Sequence, residues 1–200
     1  MLVLENISWE TYEALLRELD QQRLRITYDE GRFVAMSPLP KHERVKSLMG
    51  SMVEMLSVER RIPISRLGST TWKKRLLRKG LEADECYYVQ NERRVRARDD
   101  IDLKKDPPPD LAVEVEVTHH PLDRLRIYAA LGVPEIWLYT GKSVRTLRLS
   151  TDKYEDVEHS IAFPFLRAAE LERFLEMRLT TDETTLMCEF RDWVRTLPKP

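Results

Sequence analysis

Apolar residues recur at helical spacing near the start of the chain, where Trp9, Tyr12, Leu15, Leu16 and Leu19 follow a potential capping residue, Ser8. The runs Leu24–Tyr28 and Arg32–Met36 then read as strands flanking Asp29-Glu30-Gly31, a hairpin signal in which Gly31 supplies a positive φ. Pro38 and Pro40 interrupt, and Val45, Leu48, Met49, Met52, Met55 and Leu56 lay a wide apolar stripe on a second helix, the methionines serving as core filling. Strand-like alternation follows near Trp72, over 82–89 and over 110–118, separated by charged or proline-rich turns. Pro107, Pro108 and Pro109 deliver the chain in extended form to Asp110. Pro121 suits the first turn of a helix that Leu122, Leu125, Tyr128 and Ala129 carry to a stop at Gly132. Two more strand-like runs, 134–139 and 144–149, surround a Gly141-Lys142 turn, and the tail is helical again. Strands in the middle, with helices before, between and after them, predict an α/β (α+β) fold. We expect one domain over residues 1–200, with a core at about 24–160 and a helical tail at about 165–196.

Composition narrows the picture by exclusion. With 42% hydrophobic and 34% charged residues the chain is no disordered polymer, and a net charge of −1 rules out a wholly basic nucleic-acid coat. No apolar run approaches the roughly 20 residues that span a bilayer. The start has no basic n-region, and the expected location is the cytoplasm, without membrane partners. Cys86 and Cys188 form neither a disulfide framework nor a zinc pattern, and Cys86 is expected to pack. A P-loop, a GxGxxG turn and a GxSxG elbow are all missing from the sequence.

The informative segment is Asp110-Leu-Ala-Val-Glu114-Val-Glu116-Val-Thr118. Strand alternation puts Leu111, Val113, Val115 and Val117 on one face, and Asp110, Ala112, Glu114, Glu116 and Thr118 on the other. Two carboxylates roughly 7 Å apart repel by about 2 kcal/mol at an effective dielectric near 20, so this face is either solvated or holds a cation. In the 82–89 run the same alternation groups Glu82, Asp84, Cys86 and Tyr88. If the two strands pair, Asp84 meets Glu114, and such an oxygen-only set suits a hard divalent cation rather than zinc. His119 and His120, at the following turn, have no third ligand at zinc spacing. His42 and Glu43 open the second helix, where Glu43 suits the helix dipole.

Gly80-Leu-Glu-Ala-Asp84-Glu-Cys-Tyr-Tyr, Pro109-Asp-Leu-Ala-Val-Glu114-Val-Glu116-Val-Thr and Leu122-Asp-Arg124-Leu-Arg-Ile-Tyr128 resemble the Uma-two family, as does the distinctive Gly132-Val-Pro-Glu-Ile-Trp137. Met36–Glu43, Gly68–Thr71 and the tail ending in Phe190-Arg-Asp-Trp193 are similar to that family too, so the resemblance runs from about Leu24 to Trp193. It implies a nuclease with a restriction-endonuclease-like PD-(D/E)XK core, a mixed central sheet flanked by helices. By that scheme Asp84 and Glu114, with the Val115 carbonyl as a third ligand, hold Mg²⁺ (or Mn²⁺), and Glu43 assists from the preceding helix. The implied activity is endonucleolytic hydrolysis of DNA. The alternative is a nuclease-shaped module that binds nucleic acid or protein without turnover.

The scheme expects lysine two residues after Glu114, where this chain has Glu116. Glu116 itself is then a candidate base, and Arg124 a candidate replacement cation. A guanidinium stays protonated, so Arg124 clamps phosphate or merely neutralises Glu114 or Glu116. Basic residues cluster at Lys73, Lys74, Arg75, Arg78 and Lys79, and again at Arg93, Arg94, Arg96 and Arg98. They are either a DNA approach surface or a solvated sheet edge. Phe190 and Trp193, expected at the surface of the tail, make a homodimer plausible.

Overall fold

A computed structural model of the chain describes residues 1–198. The order is β1 (Leu2–Leu4), α1 (Trp9–Glu18), β2 (Arg25–Asp29), β3 (Arg32–Met36), α2 (Pro40–Arg60), β4 (Ser65–Arg66), β5 (Thr71–Lys74), a 3-10 turn (Arg75–Leu77) and β6 (Lys79–Glu82). It continues with β7 (Glu85–Tyr88), α3 (Glu92–Val95), β8 (Leu111–Val115), α4 (Arg124–Leu131), β9 (Glu135–Tyr139), β10 (Val144–Ser150), β11 (Lys153–Asp156), α5 (Ala168–Met177) and α6 (Glu183–Thr196). The strands form two sheets, a five-stranded one in the order β1-β3-β2-β6-β5 and a six-stranded one in the order β11-β10-β9-β8-β7-β4. The larger sheet is mixed: β8 and β9 run parallel, with α4 as the crossover between them, and its other pairings are antiparallel.

The local reasons match the sequence pattern. Ser8 accepts a hydrogen bond from the Thr11 N–H and starts α1, which buries Trp9 and Tyr12 against Ile26, Tyr28 and Phe33 of the smaller sheet. The β2–β3 turn places both Glu30 (φ 48°) and Gly31 (φ 108°) in the positive-φ region between the paired residues Asp29 and Arg32. That is the two-residue geometry that suits strand twist. The stripe of α2 packs on one face of the larger sheet, where Leu48, Met49, Met52 and Val53 meet Val113 and Val115. On the opposite face Ala112, Ile136 and Leu138 pack with Ile127, Tyr128 and Leu131 of α4, and with Trp72 and Leu81 from the smaller sheet. Cys86 lies in that cluster and is fully buried.

Three expectations are corrected. The run 82–89 is not one strand: Glu82 ends β6 in the smaller sheet and Glu85 begins β7 in the larger one, so Ala83 and Asp84 cross between sheets. Two charged residues and a short apolar run cannot by themselves reveal a change of partner. Pro121 lies outside α4, which starts at Arg124 and is capped by Asp123 accepting from the Arg126 N–H at 3.2 Å. Phe190 is fully buried and Trp193 partly so; with Phe174 they form an aromatic cluster, Phe174 to Phe190 at 4.9 Å between centroids. The apolar surface on which the homodimer expectation rested is therefore covered within the chain. Among the described residues, no helix is long and apolar enough to cross a membrane.

Candidate active site

Asp84 stands where the chain passes from one sheet to the other. The ladder pairs Glu85 with Val113 and Cys86 with Ala112, and its continuation sets Asp84 opposite Glu114. The Val115 N–H donates to Asp84 Oδ2 at 2.6 Å, which fixes the carboxylate against β8. Both acidic side chains are almost wholly buried (Asp84 3%, Glu114 9% exposed), and both line one cavity of about 560 Å³. The acidic face is therefore not a solvated one at Glu114, because α4 and the smaller sheet cover it.

Each carboxylate has its own cation. Arg124 Nε donates to Glu114 Oε2 at 2.9 Å and its Nη2 to Oε1 at 2.8 Å, the bidentate geometry that suits guanidinium and carboxylate. Its Nη1 donates to Thr27 Oγ1 at 2.7 Å and Nη2 also reaches the Glu82 carbonyl at 2.8 Å, so Arg124 ties α4 to both sheets. Tyr128, one turn along α4, donates its hydroxyl to Glu114 Oε1. Burial opposes the Arg124 charge, but Glu114 and Tyr128 outweigh it and its pKa is raised. Burial, with Glu114 beside it, pushes the Tyr128 phenol well above its ordinary value.

Asp84 meets Arg25 and His42. Arg25 Nη1 lies against Asp84 Oδ1, and His42 Nε2 is 2.9 Å from Oδ2. The other imidazole nitrogen, Nδ1, is 3.0 Å from Glu43 Oε1. Burial and then the Arg25 charge pull the His42 pKa down, against the opposing pull of Glu43. Burial tends to raise the Glu43 pKa, but Lys46, the His42 contact and Arg25 together lower it.

The structure separates the remaining candidates. Glu116 follows the last residue of β8; it is exposed, and it borders the cavity without a bond to Arg124. Its backbone N–H still bonds the Tyr139 carbonyl at 2.7 Å. The Arg124 partner is thus Glu114 and not Glu116. None of Lys73, Lys74, Arg75, Arg93 and Arg94 lines the cavity. Lys73 pairs with Glu13 at 3.2 Å, Arg75 with Glu10 and Glu13, and Lys79 with Asp29 and Glu30, while Lys74 donates to the Leu131 carbonyl at 3.1 Å. Arg93 and Arg94 sit on α3, beyond the end of β7 remote from Asp84. His119 and His120 border the cavity, and burial followed by Arg124 lowers the His120 pKa to about 4.

Sequence reasoning passed over Arg25, Thr27 and Tyr128 as site residues and ranked His42 behind Glu43. One signal was available: alternation along β2 sends Ile26 and Tyr28 into the α1 core and leaves Arg25 and Thr27 on the face that meets Asp84 and Arg124. Tyr128 lies within the apolar stripe of α4, where its hydroxyl gave no cue.

A hard cation fits the donor set. Glu114 Oε1 receives two protein donors, and Asp84 Oδ2 accepts from the Val115 N–H with the His42 imidazole beside it, whereas Oδ1 and Oε2 each face a single guanidinium and keep a lone pair. Two carboxylates with a peptide carbonyl are ligands of the type that Mg²⁺ takes, with water completing its shell. Among the described residues, no group of three or more His, Cys, Asp and Glu side chains assembles a metal cage.

A search of curated proteins returns no match for this chain. One family does match, over residues 9–183, and its description reads "Putative restriction endonuclease". That span holds the ladder, the cavity and both ion pairs, and with the two-sheet α/β architecture it identifies the chain as a member of the Uma2 family, with a restriction-endonuclease-like fold.

Proposed function

We propose that the protein is a divalent-cation-dependent endonuclease that hydrolyses phosphodiester bonds in DNA. The observation that carries this reading is the meeting of Asp84 and Glu114 on one cavity floor, from a sheet crossing and an adjacent strand. Asp84, Glu114 and the Val115 carbonyl would hold the cation. When bound, Mg²⁺ or Mn²⁺ supplies Lewis-acid polarisation of the phosphate and a more acidic water.

The chain's own residues do the rest. Arg124 and Tyr128 hold the Glu114 carboxylate in one rotamer, and the Val115 N–H and His42 do the same for Asp84. Glu116, at the cavity rim, would take a proton from water, in the position where the PD-(D/E)XK scheme has lysine. Glu43 acts through His42, as the outer partner of a carboxylate–imidazole–carboxylate chain that ends on Asp84. Apolar walls, including Met36, Leu122 and Leu138, surround the charged floor.

A second reading has a specific observation behind it: two arginines already neutralise the two carboxylates, as they would in a DNA-binding module without turnover. Plasmid nicking with Mn²⁺ separates the two. The parent is expected to nick and Asp84→Ala to lose at least 100-fold of that rate, with calorimetric Mn²⁺ binding lost in Asp84→Ala and Glu114→Ala. A parent that binds DNA but never nicks, or nicking that survives Asp84→Ala, overturns the endonuclease reading.

A further inference from the structure

The cavity floor holds two buried arginines, and their donors are employed very differently. Arg124 has all three of its guanidinium nitrogens hydrogen-bonded inside the protein, to Glu114, Thr27 and the Glu82 carbonyl. To grip a substrate phosphate it would have to release Glu114, leaving a buried carboxylate short of its partner. Arg25 is in the opposite condition. Its Nη1 lies against Asp84, its Nη2 is 3.6 Å from Glu43, beyond hydrogen-bond length, and its Nε–H has no partner among the described residues. The side chain is 12% exposed and borders the cavity. A guanidinium with unused N–H capacity at the charged floor of an otherwise apolar cavity is under-satisfied, and an oxyanion is the group that completes it.

The position of Arg25 adds to this. It reaches the floor from β2, in the other sheet, and touches the carboxylate that pairs with Glu114 across the ladder. At the sequence position of the scheme's lysine stands an exposed Glu116, so the charge that lysine would bring is absent from β8 itself. Of the two arginines that line the cavity, Arg25 is the one with donor capacity left over from its contacts inside the protein.

On the reading of the protein as a DNA endonuclease, we propose that Arg25 is the residue that contacts the scissile phosphate, its Nη2, the guanidinium nitrogen that is neither sealed inside the protein nor hydrogen-bonded there, donating to a non-bridging oxygen. Arg124, by contrast, is a positioning residue that acts through Glu114. The contact also sets a competition: Arg25 shares Asp84 Oδ1 with any cation that binds there, and its departure toward the phosphate frees that oxygen.

The test uses the full chain and the variants Arg25→Gln and Arg25→Lys, each checked by thermal melting for a folded state. Affinity for a fluorescent DNA duplex is measured by anisotropy in Ca²⁺ across a salt series, and Mn²⁺ affinity without DNA by calorimetry. Arg25→Gln is expected to weaken duplex binding at least 10-fold and to lower the slope of log K against log salt by about one, the signature of one lost phosphate contact. Its Mn²⁺ affinity is expected to stay equal or rise several-fold, since a competing cation has gone. Arg25→Lys should keep most of the salt slope, because an ammonium group still donates to phosphate. Where the parent nicks DNA, Arg25→Gln should lose at least 100-fold in kcat. An unchanged salt slope in Arg25→Gln, or Mn²⁺ affinity that falls with DNA affinity, overturns the assignment. Both readouts hold even for a parent without nicking activity, so failure of the endonuclease reading and failure of the Arg25 assignment are told apart.

Discussion

Replacing Arg124 by Gln removes the cation from a nearly buried pair and leaves Glu114 with only the Tyr128 hydroxyl. Two unit charges about 4 Å apart attract by ~4 kcal/mol at an effective dielectric near 20. The Thr27 and Glu82 bonds contribute about 1 kcal/mol each, part of which Gln retains. Water in the cavity screens some of the charge term, and the sum falls within the roughly 3–5 kcal/mol seen when one partner of a buried pair is deleted. For a chain of this length that lowers the melting temperature by roughly 10 °C. Urea denaturation followed by circular dichroism measures it, with the m-value unchanged if only stability moves. The double variant Arg124→Gln with Glu114→Gln closes a cycle and should return about 2–4 kcal/mol of coupling, since two neutral amides bury at less cost than a lone carboxylate. A single variant within 1 kcal/mol of the parent, or coupling below about 0.5 kcal/mol, refutes the argument and shows the pair to be screened by solvent.

Other expectations concern the scaffold. Glu135 accepts from Trp137 Nε1 at 2.8 Å and from the Ile161 and Ala162 N–H groups at 2.9 and 2.7 Å, so Glu135→Ala should cost about 2–4 kcal/mol by leaving buried donors unpaired. Burial raises the Glu135 pKa, hence the folded chain keeps its proton where the unfolded chain has lost it; stability from this group falls as pH rises above the ordinary carboxyl range, and Glu135→Gln should remove that slope from a parent-minus-variant pH profile. A Cβ at Gly80 would overlap the Tyr12 hydroxyl and press on Lys73, so Gly80→Ala should destabilise by about 1–3 kcal/mol in the same urea assay. One thiol, Cys188, should react with a disulfide reagent in the native state, while Cys86, buried and with its pKa pushed up to about 12, waits for unfolding; two fast thiols would contradict the packing around Trp72.

The parts of this fold that depend on neighbours in sequence were legible there. The Ser8 cap, the Glu30-Gly31 turn, the α2 stripe and the valine face of β8 follow from spacing alone, and alternation placed Asp84 opposite Glu114 on the condition that the two runs pair. What escaped depends on distant partners. Arg25 meets Asp84 only because two sheets dock; alternation along β2 gives the face on which Arg25 lies but not the partner that face meets. The strand break at Ala83-Asp84 was hidden for a related reason, since both halves have the composition of one alternating strand. The basic clusters could not be divided between their two readings from the sequence, because the acids that pair with Lys73, Arg75 and Lys79 come from α1 and the β2–β3 hairpin.

Glu114 finds its counter-charge in Arg124 of α4, on its own sheet, whereas the cation beside Asp84 is Arg25 from the other sheet. Asp84 is therefore neutralised only in the docked arrangement, and a chain that collapses with the sheets displaced by one residue entombs an uncompensated ion. The Arg25–Asp84 pair thus acts as a proofreading lock on assembly, penalising a misaligned collapse of the two sheets.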